Sequence, residues 1–113
     1  MSGISTHILD LTRGAPVSGV LVRLEREEGG VWQELFRSMA DAEGRVRSLV
    51  PPGAILQRGR FRLGFETGAY FRPQGISCFY PHIEITFDVE DPSQHYHVPL
   101  LLTPHSYSTY RGS

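Results

Sequence analysis

The sequence predicts an all-β fold, a sandwich or barrel of short antiparallel strands with one short helix. Apolar and polar residues alternate with a period of two in several segments, which is typical of half-buried strands. Residues that favour turns separate these segments at short intervals. The chain has 113 residues, enough for a domain with its own core, so we expect a single domain over residues 1–113.

Each strand can be placed from its alternation pattern. The first strand is expected at residues 5–10, where Ser5, His7 and Leu9 share one face. Further strands are expected at residues 20–25, 46–49, 60–66 and 83–90. The strands at 20–25, 60–66 and 83–90 have one apolar and one polar face, so they are expected to be half-buried antiparallel strands.

One short helix is expected at residues 67–74. Thr67 has a side chain that can cap the start of a helix, and Pro73 and Gly75 are residues that end one. We therefore expect a single helical insertion between the strands at 60–66 and 83–90.

The last predicted strand, residues 95–102, is apolar on both faces. Alternation places Tyr96, Val98, Leu100 and Leu102 on one face, and His95, His97, Pro99 and Leu101 on the other. Such a strand is usually covered on both sides, and the second cover is expected to be another subunit. Pro99 has no N–H to donate, so it is expected at an edge or where the strand ladder is interrupted.

Composition and charge exclude several classes of function. The net charge is −1 and no lysine is present, which argues against nucleic-acid binding and excludes Schiff-base chemistry and a P-loop. Cys78 is the only cysteine, so neither an internal disulfide nor a multi-cysteine metal site is expected. No secretory signal or membrane-spanning segment is recognisable. The expected location is the cytoplasm.

Several side chains could carry chemistry, although each alone also has a structural explanation. A single histidine on a strand, such as His7, is more often structural, and Arg45 alone is most simply a solvated turn residue. His95 and His97 are stronger candidates because the period of two places both rings on one face. His82 is expected in solvent.

The last four residues, 110–113, are called the tail below. Residues 107–113, which include the tail, keep two tyrosines and an arginine close to the end of the chain. Chain ends usually fray and become polar, so we expect this end to be tied down.

Two segments of the chain resemble the signatures of a known family. Residues 7–16, His-Ile-Leu-Asp-Leu-Thr-Arg-Gly-Ala-Pro, are similar to the N-terminal signature of transthyretin-like proteins. Residues 96–104, Tyr-His-Val-Pro-Leu-Leu-Leu-Thr-Pro, are similar to the C-terminal one. Segments 41–45, 67–71 and 79–81 fall in the family's order and spacing. The tail, Tyr-Arg-Gly-Ser, resembles that of the family's hydrolase branch, which acts on 5-hydroxyisourate.

The resemblance implies a fold, an assembly and a reaction. The family fold is a sandwich of two antiparallel four-stranded sheets, about eight strands, with one short helix. Two dimers form a homotetramer with active sites at the dimer–dimer interface. The hydrolases open the ring amide of 5-hydroxyisourate, a small-molecule product of urate oxidation. The ring-opened product then passes to a decarboxylase on the way to allantoin. No cofactor is implied.

The resemblance also assigns roles to residues of this chain. Catalysis is expected from His7, Arg45 and His97, with His95 supporting them. The tail residues Tyr110, Arg111, Gly112 and Ser113 are expected to bind substrate. A histidine that titrates near neutral pH can move the protons of amide hydrolysis, and an arginine offers a fixed charge and a planar set of donors. Either His7 or His97 could be the base.

Two other functions remain as alternatives. His7, His95 and His97 could hold a catalytic zinc ion with an open position. A non-catalytic carrier of the transthyretin kind is the second alternative. One departure from the family pattern affects the expected geometry near Tyr107. His105 and Ser106 stand where the hydrolases usually have an aromatic residue and a glycine, so the backbone freedom of that glycine is absent.

Overall fold

The structure is a computed structural model that describes residues 3–113. The first two residues of the predicted domain lie outside the described residues. The strands are β1 (Gly3–Asp10), β2 (Ala15–Pro16), β3 (Leu21–Glu28), β4 (Val31–Met39), β5 (Arg45–Val46), β6 (Gly59–Phe65), β7 (Ile83–Val89), β8 (His95–His97), β9 (Leu100–Thr103) and β10 (Ser106–Thr109). The helix α1 (Gly68–Phe71) continues into a 3-10 turn, Arg72–Gln74.

The strands form two sheets that enclose the core. One sheet is antiparallel in the order β4-β3-β6-β7. In the other, β1 is central, with β9 and β10 on one side and the short strands β2 and β5 also paired to it. The prediction of a two-sheet sandwich with one short helix is confirmed. One feature was not predicted: β8 and β9 run parallel to β1.

The alternation seen in the sequence matches the observed burial. Phe61, Leu63 and Phe65 of β6 are buried, and they face inward. The inward residues of the other strands join them in one cluster that fills the space between the sheets. The strand predicted at 46–49 is shorter than expected, because only Arg45 and Val46 pair with β1.

The helix lies where it was predicted, but its start is held differently. Thr67 makes no side-chain cap to the helix. Its hydroxyl donates instead to the carbonyl of Tyr80 at 2.8 Å, so the predicted capping role is wrong. Gly75 ends the 3-10 turn with a left-handed φ of 71°. Among the described residues no helix is long and apolar enough to cross a membrane.

The last predicted strand is divided into β8 and β9. Pro99 lies between the two strands, which confirms that it interrupts the ladder. The predicted inward residues Tyr96, Val98, Leu100 and Leu102 are all buried. The hydroxyl of Thr6 donates to the carbonyl of Val98 at 2.6 Å. This hydrogen bond holds the segment between β8 and β9 against β1.

The end of β1 is tied to the helix through a buried carboxylate. Asp10 is 2% exposed. It accepts hydrogen bonds from the hydroxyl of Tyr70 at 2.8 Å and from the backbone N–H groups of Thr12 and Arg13. These donors satisfy a charge that would be costly to bury alone.

Candidate active site

The central strand β1 brings the predicted catalytic residues together. Ser5 pairs with His97 of β8 on one side, and His7 pairs with Arg45 of β5 on the other. Residues two apart on a strand share a face, and directly paired residues do as well. All four side chains therefore project from the outer face of one sheet.

The turn before β5 sets the position of Arg45. The carboxylate of Asp41 accepts the backbone N–H groups of Glu43 and Arg45, both at 2.9 Å. These hydrogen bonds hold the pKa of Asp41 below its ordinary value, and the one from Arg45 has the larger effect. Gly44 has a φ of +76°, and a Cβ there would lie 2.5 Å from the carbonyl oxygen of Ile8. Only glycine lets the turn approach β1 this closely.

His7 and Arg45 face each other across this pairing. Nε2 of His7 lies 2.9 Å from the carbonyl oxygen of Glu43. A carbonyl only accepts, so this nitrogen carries the proton and Nδ1 of the neutral ring is left unprotonated. The half-buried Arg45 makes no ion pair with any residue that the structure describes, so its guanidinium is available to a ligand.

His97 is half-buried beside Ser5 and His95. Its Nδ1 is 2.8 Å from the hydroxyl of Ser5, and Nε2 of His95 is 2.7 Å from the same hydroxyl. Partial burial lowers the pKa of His97 below its ordinary 6.5, and the nearby charges of His95, Arg45 and His7 lower it further. At neutral pH the ring is therefore neutral and can accept a proton.

The tail is fixed against His97, which confirms that the chain end is tied down. The N–H of Gly112 donates to the carbonyl of His97 at 2.8 Å. A Cβ at position 112 would lie only 2.5 Å from Cδ2 of that ring, so the tail can approach this closely only with glycine.

A pocket of about 230 Å³ lies on this face of the sheet. It is lined by Ser5, Thr6, Arg45, Val46, Arg47, His95, His97 and Ser113. Of the predicted site residues, the structure thus brings Arg45, His95, His97 and Ser113 into one cavity, with His7 beside it. Another cavity of about 300 Å³, mainly apolar, lies near Leu24 and Ile55 and contains none of them.

Two predicted tail residues lie elsewhere in the single chain. The guanidinium of Arg111 donates to the side chain of Gln94 at 2.8 Å and lies 4.6 Å above the ring of Tyr96. Tyr110 is 58% exposed and lines a different cavity, between β7 and the tail. Their substrate-binding role stays a prediction.

Sequence reasoning missed two polar side chains of the pocket that lie at a spacing of two from predicted site residues. Ser5 lies two positions before His7, and Arg47 lies two positions after Arg45. The period of two that places neighbours on one face could have identified both. Arg47 is exposed, and its guanidinium is 2.9 Å from the carboxylate of Glu43.

Three other expectations can be compared with the geometry. Over residues 3–113, no group of three or more His, Cys, Asp or Glu side chains is arranged to hold a metal ion, so the three-histidine zinc alternative has no preformed site. His82 is exposed and bridges the carboxylates of Glu66 and Glu84. No non-glycine residue described has a positive φ, so His105 and Ser106 form their turn without the freedom of a glycine.

Comparisons with known proteins agree with the geometry. Residues 4–112 match the HIUase/Transthyretin family. A 5-hydroxyisourate hydrolase from Caulobacter vibrioides is 44% identical over 117 residues, which cover all of both chains. The structure of Klebsiella pneumoniae 5-hydroxyisourate hydrolase has a TM-score of 0.86 and 38% identity, and the match covers 99% of this chain and 100% of that one. Sea bream transthyretin in complex with thyroxine has a TM-score of 0.89 and 29% identity over 97% and 94%.

Proposed function

The chain belongs to the HIUase/transthyretin family, and from this premise we propose that it hydrolyses 5-hydroxyisourate. The reaction adds water to the ring amide and opens the ring, giving 2-oxo-4-hydroxy-4-carboxy-5-ureidoimidazoline. Curated relatives that are 37–44% identical over nearly the whole chain are 5-hydroxyisourate hydrolases. The proposal therefore starts from close relatives, and the roles of individual residues are argued from the site.

One observation carries the assignment of roles: two imidazoles and an unpaired guanidinium share one face beside a polar pocket. Amide hydrolysis needs a base for the water, a charge beside the carbonyl oxygen and a proton for the leaving nitrogen. The registers of β1 with β5 and β8 place His7, Arg45 and His97 on that face. An imidazole can take and return the proton, and a guanidinium supplies the charge.

We assign the base to His97. Its Nε2 has no partner among the described residues and is not one of their buried unpaired atoms, so it is open to the pocket. A lowered pKa keeps the ring neutral at the pH of the cell. His97 removes a proton from water, which then attacks the carbonyl carbon. General base catalysis of this kind contributes roughly 10²–10⁴ in rate.

Arg45 and His7 complete the step. The guanidinium of Arg45 supports the negative charge that develops on the carbonyl oxygen. When the carbon–nitrogen bond breaks, His97 returns the proton that it took from water to the departing nitrogen. His7, whose Nε2–H stays on the carbonyl of Glu43, orients the attacking water through its unprotonated Nδ1. Ser113 of the tail lines the same pocket and contacts the substrate there.

The assembly is part of the proposal: a homotetramer with its sites at the dimer–dimer interface. Leu9 of β1 and Leu101 of β9 are paired on the outer face of the sheet, and both are only half-buried in one chain. A second subunit over this face would cover them and close the open side of the pocket. Analytical ultracentrifugation tests the assembly, and a monomer that is fully active would contradict it.

The activity is tested by the ultraviolet decay of 5-hydroxyisourate made in place from urate by urate oxidase. We expect faster decay with the protein, before and after treatment with EDTA. The variants His97→Ala and Arg45→Ala should lose most of the activity and remain folded. His105→Ala and Arg60→Ala, both exposed residues outside the pocket, serve as matched controls.

A carrier function is the second candidate, because sea bream transthyretin has this fold in its complex with thyroxine. Decay no faster than the spontaneous reaction, by a folded protein, would favour the carrier. Decay abolished by EDTA and restored by zinc would favour the metal-dependent alternative. Full activity in either alanine variant would overturn the role assigned to that residue.

A further inference from the structure

The hydroxyl of Ser5 lies between two imidazole rings. Ser5 is 8% exposed, and its Oγ is 2.7 Å from Nε2 of His95 and 2.8 Å from Nδ1 of His97. Both distances are those of good hydrogen bonds. The three side chains line the same pocket, so the arrangement is part of the site and not a distant packing contact.

The protons of this arrangement can be counted. A serine hydroxyl carries one proton, so it can donate to only one of the two rings and accepts from the other. Each neutral imidazole carries one proton, on either Nδ1 or Nε2. If Ser5 donates to His95, Nδ1 of His97 must be the protonated nitrogen of that ring. If Ser5 donates to His97, the proton of that ring is forced onto Nε2.

We propose that Ser5 is a positioning residue that donates to His95 and thereby holds His97 with Nδ1 protonated and Nε2 free. This inference rests on the proposed function, in which Nε2 of His97 receives the proton of water. In the opposite arrangement Nε2 would carry a proton and could not act as the base. His95 accepts the hydrogen bond from the Ser5 hydroxyl, which would otherwise be donated to His97.

Two features of the geometry allow this direction. Nδ1 of His97 faces Ser5, while its Nε2 faces the pocket without a partner among residues 3–113. His95 is more exposed than His97. Water can therefore hydrogen-bond to Nδ1 of His95 whether or not that nitrogen carries the proton. The tail restricts the ring further, since Gly112 lies against its Cδ2 edge. Ser5 therefore fixes both the orientation and the protonated nitrogen of His97.

The direct test is nitrogen NMR of protein labelled with ¹⁵N-histidine, at a pH where both rings are neutral. Signals are assigned with the single variants His95→Gln and His97→Gln. We expect His97 to be protonated on Nδ1 in the unmodified protein and to shift toward Nε2 protonation in Ser5→Ala. His97 already protonated on Nε2 in the unmodified protein, or unchanged in Ser5→Ala, would overturn the proposal. No substrate is used, so this result is independent of whether the protein hydrolyses 5-hydroxyisourate.

The kinetic test compares three serine variants. Ser5→Ala is expected to lower kcat roughly 10–100-fold, by analogy with the loss of the partner that orients a metal-bound histidine, with KM changed by less than about twofold. Ser5→Thr keeps the hydroxyl and suits a strand, so it should retain most of the activity. Ser38→Ala, in β4 of the other sheet, is the matched control. Equal losses in Ser5→Ala and Ser5→Thr would contradict the role of the hydroxyl.

Variants of His95 test the other half of the hydrogen-bond chain. His95→Leu removes the acceptor, which frees the hydroxyl proton to go to His97, so the shift to Nε2 protonation should appear there as well. His95→Gln offers a carbonyl oxygen as acceptor and should restore Nδ1 protonation. A leucine variant with an unchanged His97 signal would show that His95 takes no part.

Discussion

Replacing Gly112 with alanine would place a methyl group against the ring of His97. The added Cβ would lie 2.5 Å from Cδ2, 3.1 Å from Cγ and 3.3 Å from Cβ of that residue. Non-bonded carbon atoms normally stay about 3.5–4.0 Å apart. The ring is held on its other side by Ser5 at 2.8 Å, so either the ring or the tail has to move by roughly 1 Å.

The two possible movements have different costs. If the tail lifts, the hydrogen bond from the N–H of Gly112 to the carbonyl of His97 is lost, at about 0.5–1.5 kcal/mol. That loss lowers Tm by several degrees in a domain of this size. If the ring moves, the base is displaced, and an error of about 1 Å can lower a rate roughly 100-fold. In both cases we expect a large loss of kcat with a small loss of stability.

The assay is the decay of 5-hydroxyisourate, with thermal unfolding measured on the same samples. Gly53→Ala is the control, because a methyl group there meets nothing within 4 Å while the φ of 79° makes alanine unfavourable. It should lose about 1–2 kcal/mol of stability and keep its activity. A Gly112→Ala variant with kcat within twofold of the unmodified protein would refute the reasoning. Equal losses of activity in both variants would point to instability alone.

Three further predictions concern stability, and urea denaturation measures each. Gly44→Ala should cost about 2 kcal/mol or more, because its Cβ would lie 2.5 Å from the carbonyl oxygen of Ile8 at a φ of +76°; an unchanged midpoint would contradict this. Tyr70→Phe removes a donor from the buried Asp10 carboxylate and should cost about 1–3 kcal/mol with activity retained. The pKa of His97 is lower in the folded protein than its ordinary 6.5, so the unfolded chain binds the proton more readily and stability should fall as pH drops below that value. The fall should stop once the pH is below the folded-state pKa and be absent in His97→Gln.

The fold could be predicted where alternation was clear and local. Residues 60–66 and 83–90 show one apolar face, and they form neighbouring strands of one sheet. The parallel pairing of β1 with β8 and β9 could not be predicted, because it joins residues about ninety positions apart in the chain. The hydrogen bond from the Thr67 hydroxyl to the carbonyl of Tyr80 forms only because the loop at Tyr80 folds against the start of the helix. Single-sequence patterns do not report such long-range contacts.

The site could be predicted in its residue types but not in its internal connections. His7, Arg45 and His97 were identified from motifs, and the structure places them around β1. Ser5 was read as one more position of a strand face, because the bond between its hydroxyl and the two rings exists only once β8 has docked. The approach of Gly112 to His97 depends on the path of the tail in the same way.

The side chains around β1 have to decide function in this fold, because a transthyretin that binds thyroxine and a hydrolase share the same backbone. The register of β1 with its neighbours is what brings those side chains together. A shift of one residue in the pairing with β8 would turn Ser5 toward the core and remove it from both imidazoles. Ile4 and Ile8 are buried residues of β1 itself, and they oppose such a shift because it would expose them. The same apolar packing that stabilises the sandwich therefore fixes the proton arrangement of the site, and variants at these two positions should lose stability and activity together.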